Sequence, residues 1–284
     1  MTNVLILGGT GMLGHAVIDE FRGFEGTVKF TSRTGSGIPF DVLTDSVKNL
    51  ASHISAGDYI INCLGITKPH IDDRNEQDVA RAKQVNSLFP AELALFAEHS
   101  DAKIIQIATD CVFSGRKGHY LETDTHDAED VYGKTKSKGE VVSPNVMHIR
   151  VSTIGREINR STLLLEWVLS HPQGATIPGY TDHFWNGVTT NHFAKVVRGI
   201  IEQDEFKSGL AHLVPGNELS KAELVRKIAS AFGRSDLIVK DTESGKPINR
   251  TLATNDPELN KRLWGGAGYP EIPTIEQLIA EIAG

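Results

Sequence analysis

Cysteine is scarce in this sequence: Cys63 and Cys111 are the only two in 284 residues. That is too few for a disulfide framework or a cysteine zinc cluster, so no metal is expected, and the scarcity fits a reducing compartment. Positive charge is also in deficit, with 29 Lys and Arg against 36 Asp and Glu and a formal net charge of -7. This balance argues against a broad phosphate-binding surface and against nucleic acid as a partner, while leaving room for a local basic pocket. No apolar run reaches about 18 residues, so no membrane-spanning helix is expected. The start "MTNVLILGG" lacks the basic leader and cleavage pattern of a signal peptide. The expectation is a cytoplasmic chain with no membrane partner.

What is present is the composition of an ordinary globular protein, 39% hydrophobic and 23% charged, long enough to bury one large core or one and a half. Short β-rich runs at 3–7, 27–31, 58–62, 102–108 and 145–150 alternate with helical patterns at 13–21, 77–99 and 131–142. Several runs are apolar without clean alternation, as in parallel strands covered on both faces. Pro90 either kinks the long helical pattern or starts a second helix. Beyond residue 150 the rhythm changes. Helices are expected over 161–171, 191–203 and 220–233, the last opened by a capping box of Ser220 and Glu223, and a final one ends at Gly284.

"LILGGTGMLG" sets Gly8, Gly11 and Gly14 just after the first strand and into the first helix, with Thr10, Met12 and Leu13 between them. Such glycines permit a tight turn, a close approach to a pyrophosphate and close helix–strand packing, and the helix N-terminus meets the phosphate charge. The expected fold is α/β, a doubly wound parallel sheet of the dinucleotide-binding (Rossmann) type. Residues 1–150 form the nucleotide domain; residues 151–284 form mainly a smaller substrate lid, with some segments returning to the core. At the end of the second strand stand Ser32 and Arg33 and no acid. An arginine there pairs with a 2′-phosphate where an acid would bond a ribose hydroxyl, which favours NADP(H) over NAD(H). A solvated loop arginine is the plain alternative.

Tyr132 and Lys136 lie one helical turn apart and share a face. An ammonium near a phenol lowers the cost of moving the phenolic proton. Thr109 follows the strand "KIIQIA", at the carboxyl edge where such sheets place their sites, and its hydroxyl suits a substrate carbonyl oxygen.

"GGTGMLG", "INCLGIT", "VNSLFPAELA", "IATDCVFSG", "VYGKTKSKGE" and "KPINRTLATN" follow the order found in extended short-chain dehydrogenase/reductases. The chain most resembles the dTDP-4-dehydrorhamnose reductase family, strongly to about residue 150 and loosely beyond. The resemblance implies reduction of the 4-keto group of a nucleotide-linked 6-deoxysugar carrying dTDP, UDP or GDP. It implies Thr109, Tyr132 and Lys136 as the catalytic set, Lys136 also holding the nicotinamide ribose. It further implies cofactor contacts from Cys63, Leu64 and Gly65 and from Asp41 and Val42. Asp110, Cys111, Arg150, Arg156 and Trp185 are the substrate-side candidates, with the arginines suited to a diphosphate and Trp185, beside Phe184, to stacking. Cys111 departs from the family's frequent tyrosine. It matches the cysteine that serves as an epimerisation base in related GDP-fucose synthases, so a combined epimerase/reductase is the first alternative. A small buried cysteine is the plain reading, and His171 stands only near a helix end. Lys246 replaces the family's arginine in its "RP…L" segment. Non-catalytic regulatory subunits with this fold supply the second alternative, and a homodimer is left open.

Overall fold

The computed structural model describes residues 2–158 and 162–284. The first half lays down β1 (Val4–Leu7), α1 (Met12–Glu20), β2 (Val28–Ser32), β3 (Ile38–Pro39), β4 (Tyr59–Asn62), α2 (Glu76–Lys83), α3 (Phe89–Ser100), β5 (Lys103–Ala108), α4 (Val131–Lys138) and β6 (Val146–Arg150). All five expected strands are present, shifted only at their ends. Val4 and Ile6 of β1 join a core with Val17 of α1, while Leu5 and Leu7 join one with Phe89 and Leu93 of α3. Successive side chains thus meet a helix layer on each face, which is why this strand reads as an unbroken apolar run.

The long helical pattern resolves into two helices, and Pro90 stands at the start of the second, one of the two expected outcomes. Between α2 and α3 the chain makes a π-helical turn, Gln84–Leu88, and Pro90 stands in the first turn of α3. The wider turn carries Asn86, 1% exposed, whose side chain bonds both the N–H and the carbonyl of Ile66 and the Thr135 hydroxyl. π-Turns concentrate at functional sites; this one ties the loop after β4 to α4. The helix expected over 131–142 stops at Lys138 because Gly139 caps it. A side chain at Gly139 would meet the Asn86 carbonyl oxygen at 2.0 Å.

The second half continues with β7 (Thr153–Ile154), α5 (Leu164–Leu169), β8 (Thr176–Tyr180), β9 (His183–Trp185), β10 (Val188–Thr189), α6 (Thr190–Glu202), β11 (Gly209–His212), β12 (Leu219–Ser220), α7 (Lys221–Ala231), β13 (Ile238–Thr242), β14 (Ile248–Asn249), α8 (Pro257–Gly266) and α9 (Ile275–Ala283). β11 pairs with β6 and completes a seven-stranded sheet of order β11-β6-β5-β4-β1-β2-β3, parallel throughout. Val196 and Val197 of α6 and Trp264 of α8 pack in the same core as β1 and α1. A separate core of Leu165, Ile177, Trp185, Leu224, Ile228 and Ile275 joins other elements of the second half. The helix expected over 161–171 is Leu164–Leu169, and residue 161 lies outside the described residues. α8 was not foreseen, although Asp256 accepts from the Leu259 N–H and Pro257 opens the helix, both ordinary start signals. Among the described residues no helix is long and apolar enough to cross a membrane, and no cluster of three metal-capable side chains occurs.

Candidate active site

Because the sheet is parallel, the carboxyl ends of β1, β2, β4 and β5 open on one edge. The glycine turn lies there. Gly8 has φ +79, and a Cβ on Gly14 would stand 2.2 Å from the Gly8 carbonyl oxygen, so the first turn of α1 packs directly on the loop. Gly11 is the N-cap of α1 and supplies no side-chain bond, leaving the helix's first N–H groups open to an anion. Thr10 and Gly11 are exposed, Met12 is half-buried, and Leu13 and Gly14 are buried. These residues fit a pyrophosphate cradle: an open helix end, no acid in its first turn, and a backbone that bulk does not shield.

Beside the turn, Ser32 is buried and its hydroxyl donates to the Ser36 carbonyl at 2.6 Å. It therefore shapes the loop that carries Arg33 instead of offering its proton to a ligand. Arg33 is exposed and makes no ion pair among the described residues. Asp41 accepts from the Leu43 N–H, and its own N–H donates to Asp45, so it organises the turn in which Val42 is buried. Cys63 donates its N–H to the Leu7 carbonyl, Leu64 donates to the Asn62 side chain, and Gly65 is exposed beside Asn86. Burial pushes the Cys63 thiol up to about 12, so it is a packing thiol.

Thr109 follows β5 and is 7% exposed; its hydroxyl oxygen accepts from the Cys111 N–H at 3.2 Å and donates to Asp110 at 3.2 Å. Tyr132 is half-buried on α4, and the Thr109 side chain opposes the rise that burial imposes on its phenol. Asp130 accepts from the Gly133 N–H and starts that helix. A Cβ on Gly133 would stand 2.2 Å from the Cys111 carbonyl oxygen, so α4 packs closely on the segment after Thr109. Lys136, 7% exposed, donates to the Ile107 carbonyl at 2.9 Å. Burial draws its ammonium down to about 8, with Glu140 opposing. Burial, helped by Cys111 and Asp110, raises the Tyr132 phenol, so it holds its proton firmly at neutral pH. Thr109, Tyr132 and Lys136 thus converge on the end of β5.

Two substrate-side expectations are corrected. Arg150 is fully buried and faces no ligand: it binds Glu140, His126 and His212. It is the last residue of β6, covered by β11 on one side and β5 on the other, and its charge is met internally. Trp185 is 5% exposed and its indole N–H donates to Ser152; alternation along β9 turns Phe184 outward instead, 38% exposed. Arg156 remains on the surface, paired with Glu166 at 2.6 Å and lying over Phe232.

Asp110 is buried beside Thr109, and burial raises its carboxyl against the opposing pull of Arg250 and Lys221. Burial, then Asp110, pushes the Cys111 thiol up to about 12. Lys221 and Arg250 were missed by the sequence reading. Both lie in the second half: Arg250 stands inside the "KPINRTLATN" segment without having been singled out, and Lys221 is legible only as the first residue of a capped helix.

The family described as RmlD substrate binding domain matches residues 1–262. Methionine adenosyltransferase 2 subunit beta of Danio rerio is 28% identical over 250 residues, 81% of this chain and 73% of that protein. A dTDP-4-dehydrorhamnose reductase of Mycolicibacterium smegmatis is 29% identical over 159 residues, 54% of this chain and 46% of that protein. A dTDP-4-dehydrorhamnose reductase structure from Bacillus anthracis, in complex with NADP, superposes with a TM-score of 0.81 at 20% identity, covering 99% of both chains. The chain belongs to the RmlD substrate binding domain family.

Proposed function

We propose that the protein is an NADP(H)-dependent reductase of the 4-keto group of a nucleotide-linked deoxysugar. The observation that carries this reading is the meeting of Thr109, Tyr132 and Lys136 at the end of β5. That point is two strands from the open N-terminus of α1, roughly 10 Å at the ordinary strand spacing. A dinucleotide spans such a gap. Family membership and the relatives named as dTDP-4-dehydrorhamnose reductases support the reaction class. One of those structures holds NADP, and the acid-free end of β2 with unpaired Arg33 favours that cofactor here. The division at about residue 150 is likewise proposed, with α6, α8 and β11 as the segments that return to the nucleotide domain.

The cofactor, when bound, supplies a hydride to the carbonyl carbon. As negative charge builds on the carbonyl oxygen, Thr109 donates a hydrogen bond to it and Tyr132 donates its proton. A phenol that burial keeps protonated suits this direction of reaction. Lys136, held near Ile107, stabilises the phenolate that remains. The test is NADPH oxidation against a panel of dTDP-, UDP- and GDP-linked 4-keto sugars; turnover with at least one supports the reading, and none contradicts it.

A second reading, a non-catalytic regulatory subunit, is favoured by one observation: the match to methionine adenosyltransferase 2 subunit beta spans more of the chain than the match to the mycobacterial reductase. Intact Thr109, Tyr132 and Lys136 weigh against it. Coupled epimerisation is weaker still. The Cys111 thiol is held up at about 12, and His171 is committed to the Trp167 carbonyl at 2.6 Å.

A further inference from the structure

Tyr132 is the second residue of α4, in the turn where a helix's own N–H groups lack intrahelical acceptors. Further along, α4 is anchored through Thr135, which the side chains of Asn86 and Ser87 bond from the π-turn. The first turn has a different holder. The Val131 N–H donates to Asp73 at 3.1 Å, and the Gly133 N–H donates to one oxygen of Asp130 at 2.7 Å. The other Asp130 oxygen accepts from the Lys68 ammonium at 2.7 Å. Lys68 and Asp73 both belong to the loop between β4 and α2. The turn that carries Tyr132 is therefore held by a second loop from the same edge of the sheet.

That loop is itself fixed. Its start is tied to the π-turn by the two bonds between Asn86 and Ile66. Arg81 of α2 donates to the His70 carbonyl at 3.1 Å and to Asp78 at 3.0 Å, and Asp78 accepts from the Asp72 N–H. Against the upward pull of burial, Lys68 and the Gly133 N–H hold the Asp130 carboxyl below its ordinary value, so the ion pair persists at neutral pH. Lys68 and Asp73 are exposed, and an exposed ion pair adds little to stability. This pair differs from an ordinary surface bridge in what it holds: the N-cap of the helix that bears the proton donor.

We propose that Lys68 and Asp73 are positioning residues, which fix the first turn of α4 and through it the place of the Tyr132 phenol beside Thr109. This rests on the nucleotide-sugar reductase reading. A Cβ on Gly133 would stand 2.2 Å from the Cys111 carbonyl oxygen, so the turn lies directly on the segment after Thr109. Lys68 and Asp73 decide whether it stays there. Release of either lets the first turn fray, and the phenol moves with it. Proton transfer demands hydrogen-bond reach to the carbonyl oxygen, and a misplacement of about 1 Å can cost about 10²-fold in rate. Lys136, one turn further on, keeps its bond to the Ile107 carbonyl, so the cofactor side of the site stays in place.

The test follows single-turnover reduction, by the NADPH-loaded protein, of 4-keto-6-deoxyhexoses linked to dTDP, UDP and GDP. Lys68→Met and Asp73→Ala should each slow reduction about 10-fold, a fraction of what a full misplacement costs. The affinities for NADPH and for the sugar, and the thermal unfolding midpoint, should stay near wild type. Lys68→Arg and Asp73→Asn, which keep a donor and an acceptor, should recover most of the rate. In a Tyr132→Phe background the same two losses should shrink to about twofold or less, as for residues that act through one phenol. Wild-type rates for both Lys68→Met and Asp73→Ala overturn the proposal, and so does an undiminished loss in the Tyr132→Phe background; either leaves the reductase reading standing. If the wild type reduces none of the sugars, that reading falls and the proposal with it.

Discussion

The proposed cofactor choice rests on a single arginine. Arg33 is exposed and unpaired at the end of β2, where a 2′-phosphate would meet it. NADPH should bind more tightly than NADH, and Arg33→Ala should erode the preference by about 1.5–3 kcal/mol, the scale of a hydrogen bond to a charged group. Equilibrium titration of both proteins with both cofactors measures this; equal wild-type affinities would remove the argument. Cys111 makes the opposite kind of prediction. Its thiol stays protonated because burial and Asp110 both push it up, and a thiol is a poor base. Turnover in deuterated water should therefore leave the carbon beside the keto group unlabelled in wild type and in Cys111→Ser. Cys111-dependent label would restore the epimerase alternative. At this scale the motifs stand out in the sequence, whereas the surroundings of the arginines do not. Arg33 and Arg150 both follow or end a strand, and no local pattern reveals that a seventh strand, β11, will cover Arg150.

The glycine turn and α1 act as one element, and two of its glycines have separable roles. A Cβ on Gly14 would press within 2.2 Å of the Gly8 carbonyl oxygen, backbone against which nothing can rotate away. Gly14→Ala should cost about 1–3 kcal/mol in urea unfolding, the usual price of overpacking, and should lose cofactor binding with it. At Gly11 a Cβ would meet the Gly8 oxygen at 3.4 Å, so Gly11→Ala should fold with nearly wild-type stability and lose cofactor affinity alone. Equal stability in the two variants would contradict the packing argument. Elements of the first half were legible because buried parallel strands and capped helices write strong local patterns. The π-turn over Gln84–Leu88 was not, since an extra residue per turn leaves no composition signal beyond Pro90 nearby. The strands of the second half outside the seven-stranded sheet are short, two to five residues, and pair with partners distant in sequence.

Across the whole molecule, the buried His212 ties the two halves of the chain together. His126 and His212 both bond the Arg150 guanidinium, His212 also meets the Ala253 carbonyl, and Glu122 accepts from the N–H groups of His212 and Asn255. Burial lowers His126, His148, His192 and His212 below the ordinary value. The folded protein therefore binds fewer protons than the unfolded chain once pH drops below about 6.5. Stability from these groups is present above that pH and is lost as pH falls through their lowered values. Urea unfolding should weaken between pH 7 and 5, and His126→Gln, which keeps an acceptor for Arg150 without titrating, should flatten the slope. An unchanged slope would separate His126 from the effect. None of this long-range pairing could be read from the sequence, because each contact joins residues far apart along the chain.

The central claim is that Tyr132 gives the proton while Thr109 and Lys136 support it. Tyr132→Phe keeps the ring and removes the transferable proton. Single-turnover reduction of a 4-keto nucleotide sugar, followed at the NADPH absorbance, should slow by roughly 10²- to 10⁴-fold, with NADPH affinity and unfolding free energy nearly unchanged. Reduction by Tyr132→Phe at the wild-type rate would contradict the account.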